Sequence, residues 1–186
     1  DALPISKAIS LKIDGNARWT YLHPYRGGIL AVIESARNVA CTGAMPTAVT
    51  DGLNFGSPQQ PHVYWQFDRA VKGIADAAEA LSTPVVSGNV SFYNESELGE
   101  VPPTPLIGML GIMDSPDYAL PSAPSDPCHL VLISVPEVES FQSGLGASLF
   151  LSVIHGQETG YPEMPNIPGE RRLHRFLVES ARNRTI

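Results

Sequence analysis

Residues 46–91 read PTAVTDGLNFGSPQQPHVYWQFDRAVKGIADAAEALSTPVVSGNVS, and the change of period within them decides the fold class. The β-branched run at 47–53 predicts a strand that feeds the polar loop Asn54-Phe55-Gly56-Ser57-Pro58. Val63, Phe67, Val71, Ile74, Ala78 and Leu81 then recur three or four residues apart. That spacing makes one apolar face of a helix of about five turns. Its other face carries Asp68, Lys72, Asp76 and Glu79. At 83–86 a second strand resumes and runs into Ser87-Gly88-Asn89-Val90-Ser91. A helix with one apolar stripe between two short strands requires a sheet to cover.

Working outward, Ile5, Ile9, Leu11 and Ile13 predict a strand that ends in Asp14-Gly15-Asn16. After Gly28, Leu30, Ile33, Val39 and Ala40 have helical spacing, and Gly43 with Pro46 supplies the stop. Downstream, an acidic loop around Glu95, Glu97 and Glu100 precedes a strand at 105–112. The order β-α-β-α-β-β implies an α/β or α+β layer with helices on one face. Four prolines in 114–127, DSPDYALPSAPSDP, mark a linker. Residues 129–135, HLVLISV, predict a strand, and 144–155 a Gly-started helix. The expected division is thus 1–115 as one domain, 116–127 as linker, and 128–186 as a second, incomplete domain.

The chain has 186 residues, 12 basic against 19 acidic, for a net charge of −7. Hydrophobic residues at 43% suffice for a packed core without staples. Between Gly73 and Glu170 there is no Lys or Arg, while 13 of the 19 acids lie there, so a broad nucleic-acid surface is excluded. Five arginines in the last sixteen residues read as a solvated helix face. No apolar run is long enough to span a bilayer, and DALPISKAIS is no signal peptide. Cys41 and Cys128 stand in apolar settings, which predicts buried free thiols and a reducing cytoplasm. The start without Met and the helix-like end without a stop signal suggest a piece of a longer chain.

GxxxxGK[ST], HExxH and GxSxG are absent, and Gly144-Leu145-Gly146 fails as a dinucleotide fingerprint because Leu149 stands at its third small position. Three Gly/Asx stretches remain: Asp14-Gly15-Asn16, Asp51-Gly52-Leu53-Asn54-Phe55-Gly56 and Ser87-Gly88-Asn89-Val90-Ser91. Glycine lets a backbone approach phosphate, and Asp or Asn oxygens suit Mg²⁺. Ordinary turn chemistry accounts for the same residues.

The stretches DGNARWTYLHPYRGG, ESARNVACTGAMPTAVTDGLNFGSPQQPHVYWQF and TPVVSGNVSFYNE, followed by PTPLIGMLGIM, closely resemble the phosphoribosylformylglycinamidine synthase family, in the second of two similar halves of its synthetase component. The likeness covers residues 9–112 and, more weakly, 145–160. It implies an α+β, ferredoxin-like ATP-binding domain of the aminoimidazole ribonucleotide synthetase type, followed by the start of its C-terminal partner domain. The implied reaction is ATP-dependent amidation of formylglycinamide ribonucleotide through an iminophosphate, with ammonia from a glutaminase subunit or domain and with Mg²⁺. On the family's pattern Asp51 and Gly88 correspond to ATP-binding positions, Asn89 to a Mg²⁺ ligand and Ser91 to a substrate contact.

The family's catalytic histidines lie in its first half, so no catalytic residue carries over and a piece inactive alone is expected. His23 stands where the family commonly has Asp. A non-catalytic nucleotide-binding or scaffolding module, or another enzyme of the same superfamily, would share these blocks; PHVYWQF favours the amidine-forming branch. A sheet deprived of its partner exposes an apolar face, which predicts dimerisation of this chain.

Overall fold

A computed structural model describes residues 6–123, 127–129, 131–135 and 144–186. Strand β1 (Ala8–Asp14) leads through α1 (Ala17–Leu22) and α2 (Pro24–Ala40) to β2 (Met45–Asn54). Helix α3 (Pro61–Leu81) returns the chain to β3 (Val85–Ser91). A two-stranded hairpin, β4 (Glu95–Ser96) with β5 (Gly99–Glu100), precedes β6 (Thr104–Met113), and two helices follow, α4 (Leu149–His155) and α5 (Ile167–Arg182). The four long strands form one sheet in the order β1-β6-β2-β3. β6 is antiparallel to both neighbours, and β2 runs parallel to β3 through the α3 crossover. This is an α+β layer, as the sequence predicts.

Packing of α2 and α3 on one sheet face forms the core. Ile29, Val32, Ile33, Val39, Val49, Phe55, Ile107 and Met109 are fully buried there. The two helices approach backbone to backbone: a β-carbon on Gly28 would overlap the Ala70 carbonyl oxygen, and one on Gly73 the Tyr25 carbonyl oxygen. Starts and stops follow local chemistry. Asn16 Oδ1 caps α1 by accepting from Trp19 N at 3.1 Å, Pro24 and Pro61 open α2 and α3, and Ser82 ends α3 in the left-handed region at φ 60°.

The opposite sheet face is uncovered among the described residues. Alternation along β1 and β6 puts Ile9, Leu11, Ile13, Leu106 and Ile112 on it, with Leu11 66% and Ile13 73% exposed. This is the bare apolar face expected of a sheet without its partner.

Residues beyond 143 fold back on α1, α2 and α3. Arg37 of α2 forms a two-pronged ion pair with Glu170 of α5, at 2.7 and 3.2 Å. Glu170 and His174 are buried in that contact. Trp19 Nε1 donates to the Ala147 carbonyl at 3.2 Å, and Arg26 Nη1 to that of Pro162 at 2.9 Å.

Three expectations are corrected. Cys41 and Cys128 are free but exposed, because Cys41 caps the C-terminus of α2 and Cys128 follows the proline-rich stretch. Residues 131–135 carry no strand, since no described sheet edge receives them; Leu130 lies outside the described residues. Finally, β2 extends one residue further than expected, to Asn54, and β3 runs through the whole stretch Ser87-Gly88-Asn89-Val90-Ser91 expected as its following loop. Among the described residues no helix is long and apolar enough to cross a membrane.

Candidate functional site

The register aligns the sequence-predicted residues. Asp14 pairs with Ile107, Ile107 with Asp51, and Asp51 with Gly88, one transverse row across all four strands. Strands lie about 4.8 Å apart, so the two aspartates stand about 10 Å apart on either side of β6. The row lies near the carboxyl ends of the parallel pair β2 and β3, where α/β sheets generally receive ligands.

Asp51 shares the parity of buried Val49 and Leu53 and so lies on the helix-covered face. Its carboxylate turns toward β3, lies over Gly88 and is near enough to the Asn89 backbone N–H to feel it. Burial pushes the Asp51 carboxyl above the usual carboxylate range, and the Asn89 N–H offsets part of that. Gly88 makes the arrangement possible, since a β-carbon there would overlap Asp51 Oδ1. The glycine therefore serves a neighbouring carboxylate within the chain, a reason separate from closeness to a phosphate.

Asn89 and Ser91 pair with Gly52 and Asn54 and so face the other way, onto the uncovered side. Asn89 is exposed. Ser91 Oγ donates to Asn94 Oδ1 at 3.1 Å, and Asn94 Nδ2 donates to the carbonyls of Phe55 and Ser91 at 3.0 and 2.8 Å. The Ser91 proton is thus committed, and its lone pairs remain for a ligand donor. Asp51 and Gly88 meet each other, while Asn89 and Ser91 open on the opposite face.

At the other end of the row stands a cluster that the sequence reading passed over. Asn38 Nδ2 of α2 donates to Asp14 Oδ1 at 3.1 Å, while Asp14 Oδ2 is buried with no hydrogen-bond partner. Burial and then the charge of Asp14 raise the Glu34 carboxyl above its ordinary value. Glu34 and Asn38 lie four apart on one helical face, and that spacing below a strand-end aspartate is the signal that would have found them.

Mg²⁺ binds through one or two carboxylates plus waters and substrate phosphates. Among the described residues no three His, Cys, Asp or Glu side chains converge. Asn89 offers one amide oxygen and needs phosphate oxygens from a nucleotide to complete a shell. Asp14 and Glu34 bring two carboxylates together beneath α2, and one Asp14 oxygen there is buried and unsatisfied.

His23 resolves the one departure from the family's pattern. Its Nδ1 accepts from Arg26 N at 3.3 Å and caps α2, the task an Asp performs at such a position. Burial, then the nearby Arg26, lower its pKa, so the ring stays neutral and keeps the acceptor available.

Phosphoribosylformylglycinamidine synthase subunit PurL of Thermobifida fusca (strain YX) is 45% identical over 175 residues, 94% of this chain and 22% of that protein. The subunit of Alkaliphilus metalliredigens (strain QYMF) is 41% identical over 172 residues, 92% of this chain and 23% of that protein. The chain therefore spans less than a quarter of the length of these relatives. Among solved structures, PurLQS from Thermotoga maritima superposes with a TM-score of 0.57 at 33% identity, over 63% of this chain and 20% of that one. T. maritima PurL complexed with FGAR covers 95% of this chain and 28% of its own at TM-score 0.71; its 21% identity speaks for the fold alone. The AIR synthase related protein, N-terminal domain family matches residues 1–113, which is more than half of the chain. The chain belongs to that family.

Proposed function

We propose that this chain is part of an ATP-dependent amidoligase that converts formylglycinamide ribonucleotide to its amidine with glutamine-derived ammonia in the cytoplasm. The observation that carries the reading is the half-buried Asp51 carboxylate lying over side-chain-free Gly88 near the carboxyl ends of β2 and β3. In it residues 1–115 supply a nucleotide-binding domain, 116–127 a linker and 128–186 the start of a C-terminal-type domain. Asp51 and Gly88 border the nucleotide, Asn89 gives an oxygen to Mg²⁺, and Ser91 accepts a hydrogen bond from substrate. Mg²⁺, when bound, neutralises charge on the transferring phosphoryl group. The chain's own part is to fix its partners in line and to hold polar groups where charge develops. A glutaminase subunit or domain delivers the ammonia.

The test supplies the remaining synthetase segments as separate chains with ammonium and follows amidine formation. Wild-type chain is expected to restore turnover, and Asn89→Ala to raise the Mg²⁺ concentration for half-maximal rate about tenfold. An unchanged Mg²⁺ dependence overturns the Asn89 assignment, and no turnover with the wild-type chain overturns the amidoligase reading.

The bare sheet face takes a second sheet of the same kind, and in the isolated chain that is a second copy. Leu11→Glu places a charge in the middle of this face and is expected to convert a dimer to monomer in sedimentation. A wild-type chain that stays monomeric at high concentration sinks the pairing.

A further inference from the structure

The last helix carries an unusual run of charge. Arg171, Arg172 and Arg175 line a hollow of about 450 Å³ with Ala80 and Pro168. Arg171 and Arg175 also border a second hollow of about 300 Å³, walled by Met45, Pro46, Leu81 and His174. Arg171 and Arg175 are common to both, in the cleft between α5, the end of α3 and the start of β2. No Asp or Glu lines either hollow among the described residues, in a chain whose net charge is −7.

Two of the neighbouring acids are held by other partners, Glu170 by Arg37 and Asp114 by Arg182. Arg171 Nη1 donates to the Ala80 carbonyl at 3.3 Å, satisfying the end of α3. Glu170, the nearest acid on α5, is held by Arg37 at 2.7 Å and lies 3.5 Å from His174 Nε2. Glu179 and Asp114 line a third hollow that Arg175 and Met45 also border, where Asp114 pairs with Arg182 at 2.6 Å; Glu79 of α3 borders another beside Ser82 and Thr83. Among the described residues Arg172 and Arg175 have no ion-pair partner. Of the three arginines only Arg175 has an acid four residues away, Glu179, and no ion pair joins the two among the described residues. His174, 3% exposed, gives the deeper hollow a fixed polar wall.

We propose that this cleft binds a phosphomonoester of nucleotide size, its phosphate on Arg172 and Arg175 and its apolar part on Met45, Pro46 and Leu81. Guanidinium groups match phosphate oxygens in planar, two-pronged pairs. The volume suits a small ligand. A nucleic-acid strand would need a track of further phosphate contacts, and 73–170 offers no Lys or Arg.

The experiment titrates AMP, adenosine, inorganic phosphate and a single-stranded RNA oligomer into the whole chain, read by calorimetry and by the His174 ring resonances. AMP is expected to bind and shift those resonances, phosphate to bind more weakly, and adenosine to fail. The double variant Arg172→Gln, Arg175→Gln is expected to weaken AMP at least about tenfold with an unchanged Tm, because neither side chain has a partner to lose. Equal AMP affinity in the double variant, or no His174 shift at millimolar AMP, overturns the site. RNA binding tighter than AMP with a steep salt dependence overturns it in favour of a polyanion surface. Gly88→Ala, which disturbs Asp51 at the far end of β2, is expected to leave the AMP response intact, so this site and the nucleotide site at Asp51 fail separately.

Discussion

Gly73→Val lowers the unfolding free energy by about 3 kcal/mol or more, as overpacking at a tight contact does. For a chain of this size the corresponding fall in Tm is roughly 6–12 °C. The cause is the crossing of α2 and α3, where Gly73 faces the Tyr25 carbonyl and Gly28 faces that of Ala70. Both obstacles are backbone, which cannot swing away as a side-chain tip would, so the helices must separate. Higher helix propensity opposes the loss but is worth only about 1 kcal/mol per glycine replaced. Separation also loosens Ile29, Val32 and Ile74, which pack between these helices and the sheet. Gly52→Ala is the control, since its β-carbon would meet only Leu106 Cβ at 3.9 Å. Thermal melts of the two variants check the result, and a Gly73→Val melt no lower than that of Gly52→Ala would sink the crossing argument.

The same crossing explains how much of the fold was legible. The stripe from Val63 to Leu81 and the run from Gly28 to Ala40 could be read because each helix buries one face at a 3.6-residue period. Strand ends were less legible. Gly88-Asn89 has the chemistry of a turn, yet it lies in strand, since parallel pairing of β3 with β2 satisfies its backbone groups across the sheet. Local propensity carries no information about that long-range partner. The run at 129–135 failed in the opposite sense: its alternation is strand-like, but among the described residues no strand edge is beside it. Cys41 was misjudged because its apolar neighbours Val39 and Ala40 face the core while the helix cap itself turns outward.

For the site, composition pointed to the Gly/Asx stretches, but only the register could show that Asp14, Ile107, Asp51 and Gly88 share one row. Glu34 and Asn38 were overlooked because a Glu and an Asn on a helix are ordinary surface residues. What sets them apart is the buried, unpartnered Asp14 oxygen beneath α2, a fact of packing.

Asp51 and Gly88 are expected to act as one unit, and a double-mutant cycle measures it. Gly88→Ala alone puts a β-carbon into Asp51 Oδ1, so it drives the carboxylate away from the Asn89 N–H, at up to about 1 kcal/mol because a side-chain tip can turn aside. Asp51→Ala alone removes a desolvated charge together with the favourable effect of the Asn89 N–H on it, and its effect on stability is small at neutral pH. In the double variant the new β-carbon meets no carboxylate, so the cost of Gly88→Ala largely disappears. The double variant is therefore expected to be more stable than the sum of the single changes, by up to about 1 kcal/mol. Nucleotide binding follows a different pattern: on the proposed reading all three variants lose Mg-ATP affinity by at least about tenfold, because the carboxylate is displaced or absent in each.

The pH dependence separates the two effects further. The folded pKa of Asp51 is raised by burial, so its ionisation opposes folding. That cost is absent below the unfolded value of 3.8 and complete above the raised folded one. Wild-type stability should fall as pH rises through this window, and Asp51→Ala should lose that part of the slope. Additive stabilities in the cycle would mean that Gly88 answers to something other than Asp51. Coupled stabilities with unchanged Mg-ATP binding would mean that the pair is structural and that the nucleotide is held elsewhere.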